Sequence, residues 1–260
     1  MASRWCQIRP DLYDLFYSPK HHNNGDIKYY VGLVDTEKSS KKILEIGSGT
    51  GRITIPLLKG GHTITAVEIS QESCNWLTLK VQENHLKKDK LLLISNDIMN
   101  VELEDEFDFI LLPFRVFQHF YEEDEQIVLL KKLYNLLPLN GKLILDVFYP
   151  EWKILTQNIG EAVLFSEDKR GNEIIKRYFF KEEVNLLSQY FRGYWKYELY
   201  KTQNMAKTII EPFKMGYYTY NQLSLLFRIS GFKIIECLGS FAGSPLGKGN
   251  EIIIQAMKNI

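Results

Sequence analysis

A turn with three alternating glycines constrains this chain more than any other part of its sequence. The short apolar run Ile43 to Ile46 leads into Gly47-Ser48-Gly49-Thr50-Gly51-Arg52, and a segment of helical character follows. Glycine adopts positive φ without strain and lets a ligand approach the backbone, and a helix that starts here presents free N–H groups. The run therefore predicts a strand, a ligand-binding turn and a helix in succession, with a plain tight turn as the alternative.

The rest of residues 41–148 alternates between strand-like and helix-like patterns. Strands are predicted at 62–67, 91–95, 107–112 and 142–148, and helices at 52–58, 71–86 and 122–137. Strands that alternate with helices pair in parallel and carry helices on both faces of the sheet. This part of the chain is therefore predicted to be an α/β fold.

Beyond Pro150 the pattern changes to β-rich segments. These segments are 162–165, 173–180, 186–200 and 207–214, with the turn Arg170-Gly171-Asn172 between the first two. Such turn residues between β segments are typical of hairpins, so an antiparallel insertion is predicted. A helix at 220–230, ended by Gly231, and strands at 232–238 and 251–256 are then expected to return to the first sheet.

Two acids follow strands that are predicted near the glycine turn. Glu68 ends the second strand, where a carboxylate can accept both ribose hydroxyls of a nucleoside, as in dinucleotide-binding folds. Asp97 follows the third strand, where it can accept from an adenine amino group while Ile98 packs on the ring. An exposed acid without a role and an Asx turn are the respective alternatives.

The order of these features resembles the cofactor motifs of class I S-adenosylmethionine-dependent methyltransferases. The resemblance rests on Ile43 to Arg52, Glu68, Asn96-Asp97 and Leu112 to His119. Within that group the chain is most similar to bacterial small-molecule enzymes, including the amino-sugar N,N-dimethyltransferases. Further matches to this subgroup are Leu12 to Tyr17, Asp26-Ile27, Tyr29-Tyr30, Gly231-Phe232, Gly239 to Phe241 and Ser244-Pro245.

The resemblance implies a Rossmann-like seven-stranded sheet of order 3-2-1-4-5-7-6 with an antiparallel seventh strand. It also implies three parts, namely an N-terminal helical lid at 1–40, a cofactor-binding core at 41–150 and 216–260, and an antiparallel insertion at 151–215 that covers the acceptor site. The cofactor would be S-adenosyl-L-methionine, with S-adenosyl-L-homocysteine as the product and no metal. The acceptor would be an amine, or a hydroxyl, of a small molecule.

The same resemblance predicts which residues contact the cofactor. They are Tyr13, Tyr17, Tyr30, Glu45, Gly47, Ser48, Gly49, Gly51, Arg52, Glu68, Ile69, Asp97, Ile98, Leu112 and Phe114. The tyrosines are candidates because aromatic faces tolerate a sulfonium cation, at about 0.5–2 kcal/mol per good contact. The apolar side of a short amphipathic helix is the alternative for these rings.

Methyl transfer from a sulfonium is an in-line displacement, so alignment and the exclusion of water carry the catalysis. His119 is predicted to take a proton from the acceptor, and Tyr17 is the second catalytic candidate. Arg115 is predicted to hold an acceptor carboxylate or phosphate on the substrate side, beside His119. The alternatives are a structural histidine and a surface ion pair of Arg115 with Glu122 or Glu123.

The insertion is rich in aromatic residues, which suit an apolar or sugar-like acceptor pocket, the insertion's own core, or the pairing of two copies in a homodimer. Lys plus Arg equals Asp plus Glu, at 32 each, so no net positive charge favours nucleic acid or an anionic membrane. No apolar run approaches the roughly 20 residues of a membrane helix, and the N-terminus lacks the apolar centre of a secretory signal. Cys6, Cys74 and Cys237 show no metal or redox spacing, so a cytoplasmic protein with reduced thiols is predicted.

Other functions fit the sequence less well. A nicotinamide-dependent oxidoreductase needs its last glycine where Arg52 stands. Methyltransferases of nucleic-acid bases resemble one another in a Pro-Pro-aromatic motif, whereas this chain has Leu112-Pro113-Phe114. A methyltransferase of a macromolecule or peptide, and a non-catalytic cofactor-binding protein, are the alternatives within the fold. The intact glycines together with Glu68 and Asp97 favour an enzyme.

Overall fold

The computed structural model describes residues 9–17, 25–36, 39–201 and 204–259, which divide into two compact units. The larger unit contains Asn23–Tyr149 and Tyr218–Ile260, and the smaller contains Met1–His22 and Pro150–Tyr217. The strands are β1 (Lys42–Ile46), β2 (Thr63–Glu68), β3 (Leu91–Ser95), β4 (Phe109–Leu112), β5 (Lys142–Phe148), β6 (Ala162–Arg170), β7 (Glu173–Asn185), β8 (Tyr190–Lys201), β9 (Asn204–Gly216), β10 (Phe232–Leu238) and β11 (Glu251–Lys258). The α-helices are α1 (Pro10–Phe16), α2 (Asp26–Asp35), α3 (Thr54–Lys59), α4 (Gln71–Glu83), α5 (Glu123–Asn135), α6 (Trp152–Thr156) and α7 (Tyr220–Ile229).

The larger unit is built on a seven-stranded sheet of order β3-β2-β1-β4-β5-β11-β10. β11 runs antiparallel to β5 and β10, and the other neighbouring strands are parallel. With β10 and β11 counted as the sixth and seventh core strands, the predicted order 3-2-1-4-5-7-6 is confirmed. The strand order reverses between β1 and β4, and in open α/β sheets ligands bind outside the carboxyl ends of the strands at such a point.

Nearly continuous apolar runs explain why the central strands lie inside the sheet. β1, β4 and β5 are buried along almost their whole length, as expected for strands that helices cover on both faces. Three helices pack with β1 and β2 in one hydrophobic cluster, because each places apolar residues at helical spacing. Its buried members include Tyr30 and Val34 of α2, Leu57 of α3, Leu77 and Val81 of α4, Ile43 and Ile64.

β1 also carries a buried acid. Glu45 is 1% exposed, and its Oε2 accepts a hydrogen bond of 2.6 Å from the hydroxyl of Thr54, the first residue of α3. Burial raises the pKa of Glu45 to about 8, against the opposing effect of the Thr54 hydrogen bond and with a smaller rise from Glu68. Glu45 therefore ties β1 to the helix that follows the glycine turn.

The smaller unit contains the antiparallel sheet β6-β7-β8-β9, so the predicted insertion of antiparallel strands is confirmed. The strands extend farther than the apolar segments predicted, since β7 continues from Phe180 to Asn185. Backbone pairing with β8 persists there although the side chains are mostly polar, and sequence patterning detects only the apolar part of such a ladder. α1 packs in the same cluster as the sheet, through Leu12, Phe16, Ile175, Tyr197 and Leu199.

The N-terminal segment, predicted as one lid at 1–40, is divided between the two units. α1 belongs to the smaller unit and α2 to the larger one. The other predicted boundaries, 150/151 and 215/216, lie within a few residues of the observed divisions. The functions assigned to these segments, a lid over the cofactor and a cover over the acceptor, stay predictions.

The thiols of Cys74 and Cys237 are free, the first buried and the second partly exposed, whereas Cys6 lies outside the described residues. Across the ranges that the structure describes, every helix is too short or too polar to cross a membrane.

Replacing Glu45 with Gln should change how stability depends on pH. The raised pKa means that the folded protein keeps the Glu45 proton while the unfolded carboxyl ionises, so the wild type loses stability as the pH rises from about 5 to about 8. The loss approaches about 1.4 kcal/mol per pH unit. Gln cannot ionise and still accepts from Thr54, so the free energy of unfolding of Glu45→Gln, measured in urea, should fall less over this range.

Glu72→Gln is the matched control, because Glu72 is exposed in the first turn of α4. Its stability should follow the pH dependence of the wild type. Parallel curves for the wild type and Glu45→Gln would contradict a buried Glu45 that holds its proton.

Candidate functional site

The glycine turn directly follows β1, and its three glycines have different duties. Gly47, Gly49 and Gly51 all adopt positive φ, of 71°, 53° and 89°. A Cβ atom at Gly47 would lie 2.4 Å from Val116 Cγ2, and one at Gly51 would lie 2.4 Å from Leu77 Cδ1. A Cβ atom at Gly49 would meet no heavy atom within 4 Å. Gly47 and Gly51 are therefore needed for packing, and Gly49 is the position that borders open space.

Glu68, the last residue of β2, uses its side-chain carboxylate to bind the backbone of this turn. Its Oε2 accepts from the N–H of Gly49 at 2.9 Å, and its Oε1 accepts from the N–H of Ser70 at 2.8 Å. Burial raises the pKa of Glu68, and these backbone hydrogen bonds oppose the rise. The structure thus brings together the two features that the sequence singled out first, the glycine turn and the acid at the end of the neighbouring strand.

Asp97 lies one strand farther along the same edge, because Ser95 at the end of β3 pairs with Glu68. Its Oδ1 accepts from the N–H of Met99 at 2.9 Å and so caps a short 3-10 helix, Ile98–Asn100. The Asx turn named as the alternative is therefore present. Ile98 is buried beneath this turn, whereas Ile69, the residue after Glu68, is partly exposed.

Ser48 contributes a polar group without a partner. The residue is 3% exposed, and its hydroxyl makes no hydrogen bond within the described part of the chain. Buried hydroxyls are normally paired, so an unpaired one beside an open glycine marks a place where a ligand can supply the missing partner. Glu45 lies three residues before Ser48, but its carboxyl group contacts the Thr54 hydroxyl.

Arg52 was predicted at the cofactor, but its side chain is engaged with α2. Its two terminal nitrogens donate to both oxygens of Asp26, at 2.5 and 2.7 Å, and the pair is almost wholly buried. The guanidinium also lies 4.9 Å from the centre of the Phe114 ring. A bidentate pair of this kind is strong and directional, so Arg52 fixes the start of α2 against the glycine turn.

Asp146 joins three parts of the larger unit from the middle of β5. Its Oδ1 accepts from the hydroxyl of Tyr30 at 2.6 Å and from the N–H of Phe114 at 2.8 Å. Its Oδ2 accepts from the N–H of Arg115 at 3.0 Å. Phe114 and Arg115 have φ of 59° and 67°, a left-handed conformation that costs about 1–2 kcal/mol per residue. The Asp146 carboxylate therefore holds the loop after β4 in a strained shape.

Burial raises the pKa of Asp146 to about 7, and the hydrogen bond from Tyr30 is the largest opposing influence. Sequence reasoning missed this residue because it lies inside the apolar run Leu143 to Phe148. The one sequence signal for a special role was an acid within an apolar strand, since acids are rarely buried in a central strand without partners. Tyr30, predicted to face a sulfonium, is fully buried, and its hydroxyl donates to Asp146; its contact with the cofactor stays a prediction.

The loop after β4 carries the predicted acceptor residues. Leu112 ends β4 fully buried, and His119 is the half-buried last residue of a 3-10 helix, Val116–His119. The side chain of Gln118 accepts from the N–H of Phe148 at 3.0 Å. Tyr218 donates its hydroxyl to the carbonyl of Phe120. These two contacts fix the loop at both ends of the histidine.

Arg115 has an ion partner that the sequence did not suggest. Its Nη2 donates to Oε1 of Glu251 at 2.9 Å, and its guanidinium lies 5.6 Å from the Phe148 ring centre. Glu251 starts β11, so the pair links the loop after β4 to the start of a strand two places away at the same edge of the sheet. Arg115 was expected to pair with Glu122 or Glu123 if it had no ligand; the ion pair that the structure records is with Glu251.

Tyr13 and Tyr17 belong to the smaller unit. Their rings lie 4.9 Å apart, and the Tyr17 hydroxyl accepts from Arg177. Arg177 is itself fully buried, with its guanidinium 3.6 Å from the Trp195 ring centre. The predicted roles of both tyrosines at the cofactor stay predictions.

Together, the residues at the ends of β1 and β2 fit a nucleoside cofactor. Gly49 offers open space, Ser48 an unpaired hydroxyl, and Glu68 a carboxylate bound to the same turn. In the described ranges, no group of three or more His, Cys, Asp or Glu side chains is arranged to hold a metal ion.

Comparison with known proteins agrees with this geometry. Residues 43–141 match the family model of a methyltransferase domain. A release factor glutamine methyltransferase from Lactococcus lactis is 33% identical over 100 residues, which cover 37% of this chain and 36% of that protein. The chain therefore spans little more than a third of that relative's length.

Solved structures match over nearly the whole chain. A S-adenosylmethionine-dependent methyltransferase from Clostridium acetobutylicum has a TM-score of 0.78 at 16% identity, covering 96% of this chain and 97% of that one. The sugar N-methyltransferase KedS8 from a Streptoalloteichus species has a TM-score of 0.74 at 13% identity, covering 98% and 94%. Residues 43–141 thus resemble a methyltransferase domain, and the chain shares the overall fold of these solved methyltransferases.

Proposed function

We propose that this protein transfers a methyl group from S-adenosylmethionine to an amine of a small molecule. The observation that carries the proposal is the hydrogen bond between Glu68 and Gly49, which puts a carboxylate directly beside the open position of the glycine turn. The similar sugar N-methyltransferase supports a small amine over a hydroxyl as the acceptor.

S-adenosylmethionine, when bound, supplies an electrophilic methyl group on a sulfonium. The residues of this chain would hold it through its nucleoside. A carboxylate has about four acceptor sites, and the N–H groups of Gly49, Ser70 and Ile69 that contact Glu68 leave capacity for a ribose hydroxyl. Gly49 would allow the backbone to approach closely, and Asp97 and Ile98 would contact the adenine.

The loop after β4 would position the acceptor. An amine attacks the methyl carbon as its free base, so the proton of an ammonium has to leave before or during the transfer. An imidazole can accept a proton from an ammonium, and His119 is a histidine of this loop, so we assign it the role of proton acceptor. The loop is rigid because Asp146 and Gln118 hold it, and such rigidity favours the alignment that an in-line displacement requires.

Removing the Glu68 carboxylate should weaken cofactor binding. Glu68→Ala leaves the Gly49 N–H and the ribose hydroxyls without acceptors, so the affinity for S-adenosylhomocysteine should fall by about 1–3 kcal/mol in a calorimetric titration. Glu72→Ala, an exposed acid four residues later, is the matched control and should bind like the wild type. Unchanged affinity of Glu68→Ala would place the ribose elsewhere.

The three glycines should separate into packing and binding positions. Gly49→Ala adds a Cβ atom in open space, so the protein should fold with a small loss from the strained φ, while cofactor affinity falls about tenfold or more. Gly51→Ala places its Cβ against Leu77 and should lower the thermal midpoint more than Gly49→Ala does. If Gly49→Ala bound S-adenosylhomocysteine as well as the wild type, the open space would not be the cofactor site.

Substitution of His119 should slow turnover and spare cofactor binding. General base catalysis contributes about 10²-fold or more, so kcat of His119→Ala should fall by about that factor, with less loss at high pH where the amine is already deprotonated. His119→Asn fills the same place without accepting the proton and should be equally slow. Full activity of His119→Asn, measured as S-adenosylhomocysteine release, would limit His119 to a packing role.

A further inference from the structure

Glu251 is a buried acid at the ligand-binding edge of the sheet that the proposed mechanism does not use. It is the first residue of β11, and because β11 runs antiparallel to β5, Glu251 pairs with Phe148 at the carboxyl end of β5. The residue is 8% exposed. Its place at this edge is therefore set by the strand register, beside the loop that carries Arg115 and His119.

The two carboxylate oxygens of Glu251 have different surroundings. Oε1 accepts from Arg115, whereas Oε2 is buried and has no hydrogen-bond partner within the described ranges. An unpaired buried carboxylate oxygen destabilises a fold, since the group loses its hydration without compensation. Such a cost is retained at ligand sites, where the missing donor arrives with the ligand.

The charges around Glu251 indicate the sign of that ligand. Asp26 and Asp146 act electrostatically with Glu251 in this part of the larger unit. Two cations oppose these three acids, since Arg52 pairs with Asp26 and Arg115 pairs with Glu251. Burial raises the pKa of both Glu251 and Asp146, so a cation that donates to Oε2 would favour the charged form of Glu251, whereas an anion would oppose it.

The position of Glu251 fits an acceptor better than the cofactor nucleoside. Glu68 ends β2 and Asp97 follows β3, and both lie on one side of the point between β1 and β4 where the strand order reverses. Glu251 lies on the other side, beyond β4 and β5. A nucleoside bound beside β2 and β3 would leave the edge beyond β4 and β5 for the methyl acceptor.

We infer that Oε2 of Glu251 binds the protonated amino group of the methyl acceptor, so the acceptor class is a cationic amine. The inference rests on the proposed function and specifies that the acceptor amine binds in its protonated form. Glu251 is a specificity residue in this account: it recognises the ammonium on arrival, and the Arg115 ion pair keeps its side chain in place. A hydroxyl acceptor of the same shape brings no positive charge and gains much less from Oε2.

The test compares an amine with its neutral match on the protein saturated with S-adenosylhomocysteine. Cyclohexylamine, protonated at neutral pH, and cyclohexanol are titrated by calorimetry into the wild type and Glu251→Gln. A charge-assisted hydrogen bond predicts that the wild type binds the amine about tenfold or more tightly than the alcohol, and that Glu251→Gln removes the preference. Equal affinities in the wild type, or an amine preference that survives in Glu251→Gln, would overturn the inference.

A ligand-free measurement supports the same distinction. If Oε2 awaits a ligand, Glu251→Gln removes the charge from a carboxylate whose Oε2 is buried without a partner, and it should raise the thermal midpoint of the free protein, because Gln still accepts from Arg115. A lower midpoint would identify Glu251 as a structural ion-pair residue and overturn the inference. Binding of S-adenosylhomocysteine, measured first, separates these outcomes from failure of the proposed function, since the loss of that binding would refute the cofactor assignment itself.

Discussion

The carboxylate of Asp146 is the interaction on which the candidate site depends most. It accepts from Tyr30 of α2 and from two successive N–H groups of the loop after β4. Phe114 and Arg115, two successive left-handed residues of this loop, are strained, and strain of this kind persists only where other interactions offset it. The hydrogen bonds to the buried carboxylate offset it here. The Asp146 side chain therefore links helix, strand and loop, and it helps to position the residues that are expected to meet the acceptor.

Glu68 does for the glycine turn what Asp146 does for the loop after β4. In both places a carboxylate at or near the sheet edge holds the backbone N–H groups of a ligand loop, so the loop is ordered before a ligand arrives. Preorganised loops lower the entropic cost of binding and keep reacting groups aligned. The Ser48 hydroxyl and Oε2 of Glu251 are buried near these loops without a hydrogen-bond partner in the described part of the chain. Both groups destabilise the free protein, since neither regains the hydrogen bonds that it loses to water on folding.

Features that are local in sequence could be predicted, and features that depend on distant pairs could not. Contiguous segments of the sequence indicate the alternation of strands and helices, the glycine turn and the acid at the end of β2. The structure places these features as expected. Tyr30, one partner of Asp146, is 116 residues away in sequence, and Glu251, the ion partner of Arg115, is 136 residues away, so no periodicity indicates these contacts. Tyr30 shows the consequence, because an aromatic residue suited to a sulfonium is, in the fold, a buried partner of an acid.

A crystal structure of the protein with S-adenosylhomocysteine tests the cofactor site most directly. We expect the ribose hydroxyls within hydrogen-bond distance of the Glu68 carboxylate, the nucleoside against the backbone of Gly49, and the sulfur directed toward the loop that follows β4. A ligand bound elsewhere on the protein, or crystals grown at saturating ligand in which Glu68 and Gly49 contact none of it, would refute this site.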